Sequence, residues 1–96
     1  MENTPHEVTH NAAARRFEAR VDGELCVADY RLEDGVMVMP HTEVAARLQG
    51  RGIAAALVKS ALDWARAEGL KVRPLCSYVA SYLQRHPEVQ DLRAQR

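Results

Sequence analysis

The sequence predicts an α/β chain of the α+β kind, in which an antiparallel β-meander leads into a β-α-β unit. The central sheet is mixed, and a short helix closes the C-terminal end. Three observations carry this. Two Asp-Gly pairs, Asp22-Gly23 and Asp34-Gly35, separate runs of alternating apolar and polar residues. One long segment rich in Ala and Leu then changes the apolar period from two to nearly four. A short apolar run, "LKVRPLC", follows it, so strand and helix alternate only in the second half.

Taken in order, residues 1–10 are polar and are expected to be partly disordered, with Val8 opening a first strand. In "RRFEARV" Phe17, Ala19 and Val21 alternate with Arg16, Glu18 and Arg20, the pattern of a half-buried strand. Asp22-Gly23 turns the chain into "ELCVADYRL", and Asp34-Gly35 turns it again into "VMVMPHTEV". From Gly50 to Glu68, Ile53, Leu57, Ala61 and Ala65 recur four apart with Ala54, Val58 and Leu62 beside them, the apolar stripe of a helix. Gly69 is suited to the left-handed cap and Leu70 to the apolar contact beside it. "LKVRPLC" is then a strand, parallel to the one ending near Val44 through a right-handed crossover. "SYVASYLQRH" is a short helix stopped before Pro87, which opens one last turn.

At 96 residues, positions 1–96 suit one domain. Thirteen basic residues balance thirteen acidic ones, so no global field favours nucleic acid or an anionic membrane. Cys26 and Cys76 are far apart; they could pair, but nothing else suggests a secreted disulfide framework, a signal segment or a membrane span. The expectation is a soluble, cytoplasmic domain, monomeric or weakly dimeric through an exposed sheet edge. His6, His10 and His86 have no ligand spacing, and no metal is expected.

The stretch "RLQGRGIAAALV" raises the functional question. A helix start favours an acid or a capping hydroxyl because its free N–H groups carry partial positive charge, yet this helix has no acid before Asp63. A strand, a glycine turn and a helix N-terminus together make an anion site. Taken alone, the spacing permits simply a tight strand-to-helix turn. The dinucleotide-binding fingerprint lacks its third glycine, and no Gly-Lys-Ser/Thr follows for a nucleoside triphosphate loop.

A longer match names the anion. "VAARLQGRGIAAALV", Val44 to Val58, resembles the acetyl-CoA segment of the Gcn5-related N-acetyltransferases, in which Gln/Arg-x-x-Gly-x-Gly/Ala opens a helix. Here that motif is Gln49-Gly50-Arg51-Gly52-Ile53-Ala54. "HTEV", "GRGIAAALV", "PLCSYV" and "HPEVQDL" together resemble the family's small, minimal subgroup, across Phe17 to Leu92. The resemblance implies a truncated acetyltransferase fold, with the amides of Gly50, Arg51, Gly52, Ile53, Ala54 and Ala55 around the pyrophosphate of acetyl-CoA or coenzyme A. It implies that His41, Thr42, Glu43 and Val44 offer backbone groups to the pantetheine arm where two parallel strands splay apart. Pro74, with no N–H to donate, suits a strand whose pairing has stopped. Arg51 is either a charge-assisted phosphate contact or a solvated arginine.

The implied reaction moves an acetyl group to an amine, which requires a deprotonated amine, a stabilised oxyanion and a protonated leaving thiolate. By alignment with the family's tyrosine helix the acid is Tyr82, with Tyr78 one turn earlier as its rival. Both also suit core aromatics. Cys76, at a strand-to-helix junction, is either a nucleophile activated by the helix dipole or a small apolar filler. Cys26 is structural. His41 and Glu43 share one strand face, expected to be that of the site, and suit a general base or the ordering of a relay water. The chain departs from the family in lacking the segments that build the acceptor pocket, and His86-Pro87 replaces the usual Gly-Phe. The amine acceptor therefore stays unidentified, and a non-catalytic CoA- or acyl-CoA-binding interaction module is the alternative.

Overall fold

The computed structural model describes residues 6–95. It contains five strands: β1 (Thr9–Asn11), β2 (Arg16–Val21), β3 (Glu24–Glu33), β4 (Val36–Glu43) and β5 (Lys71–Pro74). Two helices, α1 (Ile53–Glu68) and α2 (Ser77–Arg85), join short 3-10 segments at Ala46–Leu48 and Pro87–Leu92. The sheet runs in sequence order from β1 to β5, antiparallel except for the parallel β4–β5 pair. The mixed sheet and the β-α-β unit are as the sequence predicts. Of the N-terminal segment expected to be partly disordered, residues 1–5 lie outside the described residues, and Thr9–Asn11 pairs with β2.

Each element has a local cause. Asp22, Gly23, Asp34 and Gly35 all have positive φ, which is the geometry of a tight hairpin turn that matches strand twist. Within α1 the residues Ile53, Leu57, Val58, Ala61, Leu62 and Ala65 are buried, following the predicted stripe. Each buried Leu or Ile there contributes about 1.5–3 kcal/mol through apolar burial. Gly69 ends the helix at φ 73°, and the Leu70 N–H reaches back to the Ala65 carbonyl at 2.8 Å.

One face of the sheet carries Phe17, Ala19, Cys26, Ala28, Tyr30, Met37 and Met39 into a single core with α1 and α2. The opposite face holds the Arg16–Glu18 pair and the exposed Leu25. Beyond β5 the chain adds one parallel bridge, Val72 with Arg93, and the Ala94 N–H donates to the Val72 carbonyl at 2.8 Å.

The feature that shapes the site is a change of register in β4. Between the pairs Asp29–His41 and Arg31–Val38, two steps along β3 answer three along β4. The extra residue lies in Met39-Pro40, where proline has no N–H to give to a ladder. β4 and β5 stay paired only as far as Met39 and Pro74. Past that point the N–H groups of Leu75 and Cys76 both converge on the Met39 carbonyl, at 3.1 and 2.9 Å. His41, Thr42 and Glu43 keep β3 as partner and leave β5 behind.

Candidate functional site

Where β4 and β5 part, a cleft of about 410 Å³ opens. Thr42 and Val44 from the end of β4 form one wall, and Gln49, Gly50, Gly52 and Ala54 form another. Tyr78 from α2 closes the third side. The Gln49 amide donates to the Val44 carbonyl at 3.2 Å and braces the loop between strand and turn.

The turn itself is built for exposure of its backbone. Gly50 and Gly52 have φ of 85° and 82°, and Gly52 is the left-handed N-cap of α1. A Cβ placed on either glycine would meet nothing within 4 Å, so the space beside the turn is open. No side chain caps the helix, no acid occupies its first turn, and its first backbone bond is Ala56 N–H to the Gly52 carbonyl. The N–H groups of Ile53, Ala54 and Ala55 therefore have no intrahelical acceptor and carry the positive end of the helix dipole. This arrangement fits a diphosphate.

Cys76, the N-cap of α2, lies behind the Thr42 wall of the cleft. Its sulfur lies 3.4 Å from the Thr42 hydroxyl. Partial burial pushes the thiol up, but the Thr42 hydroxyl and the Val79 and Tyr78 N–H groups outweigh it, and its pKa lies below that of an ordinary thiol. Cys26 is fully buried and free.

The two tyrosines part company. Tyr78 lines the cleft, and burial raises its pKa, so its phenol keeps its proton. Tyr82 is 7 % exposed, stacks on His86 at 3.9 Å, and lies beside Lys59, Asp63 and Glu88 in a separate small cavity. Four residues on from Tyr78, one turn further along α2, its side chain packs against α1 and the Pro87–Leu92 segment. The His86 Nδ1–H donates to the Tyr82 carbonyl, 2.8 Å away.

His41 and Glu43 do share a face, and their side chains touch at 3.3 Å. It is the face opposite Thr42, away from the cleft and the glycine turn. Alternation carried on from the buried Met37 and Met39 would turn both inward, but the extra residue at Met39-Pro40 reverses the parity. The Arg51 guanidinium, half exposed, lies on the carboxylate of Asp22 at 3.2 Å. Asp22 and the neighbouring Arg47 were not singled out in the sequence, and only the folded hairpin brings them to the turn. Among the described residues no three His, Cys, Asp or Glu side chains gather to hold a metal ion, and no helix is long and apolar enough to cross a membrane.

Comparison with known proteins decides the family. The profile of the GCN5-related N-acetyl-transferases matches residues 16–92. The chain belongs to this family. Protein NATD1 of Gallus gallus is 35% identical over 86 residues, covering 86% of this chain and 78% of the relative, and that of Mus musculus gives the same figures. Protein NATD1 of Danio rerio is 32% identical over 93 residues, 94% of this chain and 84% of that one. The solution NMR structure of a GCN5-like protein from Staphylococcus aureus superposes with a TM-score of 0.75 at 26% identity, over 98% of this chain and 91% of the other. The family generally uses acetyl-CoA.

Proposed function

We propose that this protein is a small acetyl-CoA-dependent N-acetyltransferase in which Cys76 carries the acetyl group in transit. The observation behind this is the Cys76 thiol of lowered pKa, bonded to Thr42 at the wall of the cleft that the glycine turn heads. Acetyl-CoA, when bound, supplies an activated acetyl thioester. The amides from Gly50 to Ala55 hold its diphosphate, and backbone groups of His41 to Val44 align its pantetheine arm as an added strand would.

Cys76 Sγ, as thiolate, forms a bond to the acetyl carbonyl carbon while the carbon–sulfur bond to CoA breaks. The Tyr78 phenol donates its proton to the departing CoA sulfur, and its raised pKa keeps that proton available at neutral pH. An amine nitrogen then displaces Cys76 Sγ from the acetyl carbon, which frees the thiolate and gives the amide. The His41–Glu43 pair lies on the sheet face away from the cleft and takes no direct part. The proton that the amine loses passes through solvent to the Tyr78 phenolate and restores the phenol. Tyr82, turned into the core, has no part in this scheme.

Incubation with acetyl-CoA, read by intact mass and by thiol release, tests the proposal on wild type and Cys76→Ala. The wild type gains one acetyl group and releases CoA, while Cys76→Ala binds CoA without acetylation. Acetylation that persists in Cys76→Ala would sink the carrier role. Binding of CoA with no thiol release by the wild type would make the protein a CoA-binding module instead.

A further inference from the structure

The tip of the β2–β3 hairpin reaches the glycine turn across more than twenty residues of sequence, and it does so through charge. Arg51 NH1 donates to Asp22 Oδ2 at 3.2 Å. Arg47 donates to Glu24 Oε2 at 3.1 Å and to the Asp22 carbonyl at 3.0 Å. All four side chains are about half exposed. The backbone of Arg51 is held separately, because the His6 ring nitrogen Nε2 lies 2.8 Å from its carbonyl. The guanidinium can thus leave Asp22 without the turn coming apart.

We propose that Asp22 is a positioning residue that competes with the cofactor's phosphates for Arg51. In the free protein the Asp22 carboxylate holds the guanidinium at the hairpin tip. When the diphosphate arrives, Arg51 exchanges a weak solvent-exposed carboxylate pair for an anion carrying more charge, and the hairpin tip is released. Arg47 stays behind, fixed by Glu24 and the Asp22 carbonyl. Asp22 in this way lowers the affinity for CoA and gives the hairpin a part in admitting and releasing it. This rests on the reading of the glycine turn as a diphosphate cradle.

The test is the dissociation constant for CoA, by calorimetry at low salt, in wild type, Asp22→Asn, Arg51→Ala, Arg51→Lys and each Arg51 variant combined with Asp22→Asn. Asn at position 22 tolerates the left-handed φ of 50° that Asp22 adopts, so the turn survives the change. Asp22→Asn binds CoA about two- to fivefold more tightly, the range of an exposed ion pair. That gain disappears in the Arg51→Ala background and returns in part with Arg51→Lys, which keeps the charge. A gain that persists without Arg51 would mean a general field effect and would overturn the proposal. So would weaker binding by Asp22→Asn, since a clamp that merely braces the turn predicts that sign. Failure of the wild type to bind CoA removes the cradle itself, and is told apart by its appearing in every variant.

Discussion

The two helices begin alike in sequence and differently in space. Neither α1 nor α2 has an acid in its first turn, and neither is capped by a side-chain hydrogen bond. At α1 the cap is Gly52 in the left-handed region, and the open amides face a cleft with nothing close to either glycine. At α2 the cap is Cys76 in extended conformation, and the Tyr78 and Val79 N–H groups turn toward its sulfur without closing a capping hydrogen bond. The same electrostatic end is thus offered outward to a ligand anion in one helix and inward to the protein's own thiol in the other. Two positive helix ends on either side of Thr42 are what the proposed function uses, one for a phosphate and one for a thiolate.

The largest break in this comparison comes from the tyrosine in the first turn of α2. Tyr78→Phe lowers the rate of acetyl transfer about a hundredfold, the lower range for a lost general acid, whereas Tyr82→Phe leaves it nearly unchanged. Single-turnover kinetics on both variants checks this, and an equal loss from Tyr82→Phe would reverse the assignment. The outward-facing helix end is broken by Gly52→Val. A β-branched residue at φ 82° costs about 1–3 kcal/mol of stability. Misplaced charge-assisted amide contacts weaken CoA binding about tenfold or more. Thermal melts and calorimetry separate the two effects.

The smallest effect sharpens the inward-facing end. Thiolate forms above the thiol pKa, so a lowered pKa makes Cys76 react with iodoacetamide at lower pH than a free thiol does. Thr42→Val removes a hydrogen bond that lowers this pKa, so the reactivity midpoint moves to higher pH. The rate of alkylation against pH, followed by peptide mass, checks the direction. Cys26, fully buried, stays unmodified in the folded protein and serves as the internal control.

Much of the fold was legible because local chemistry and tertiary structure agree. The Asp-Gly turns, the α1 stripe and the Gly69 cap are each specified by residues adjacent in sequence. The glycine turn was legible for the same reason. What was not legible depends on contacts between distant residues. The facing of His41 and Glu43 turns on a one-residue register shift at Pro40, which alternation cannot anticipate because alternation presumes an unbroken ladder. The partner of Arg51 lies on a hairpin tip that nothing in the local sequence links to it. Tyr78 and Tyr82 share a helix and a residue type. Only the packing of α2 between the cleft and the Pro87–Leu92 segment decides which of the two lines the cleft.

The bridge from Val72 to Arg93 has a consequence for association between molecules. A sheet ending in a bare strand can be extended by a strand of another chain. Here the Ala94 N–H already occupies the Val72 carbonyl on the outer rim of β5, while the opposite rim is the three-residue β1. A second molecule seeking to lengthen this sheet past β5 must first peel residues 93 and 94 from it.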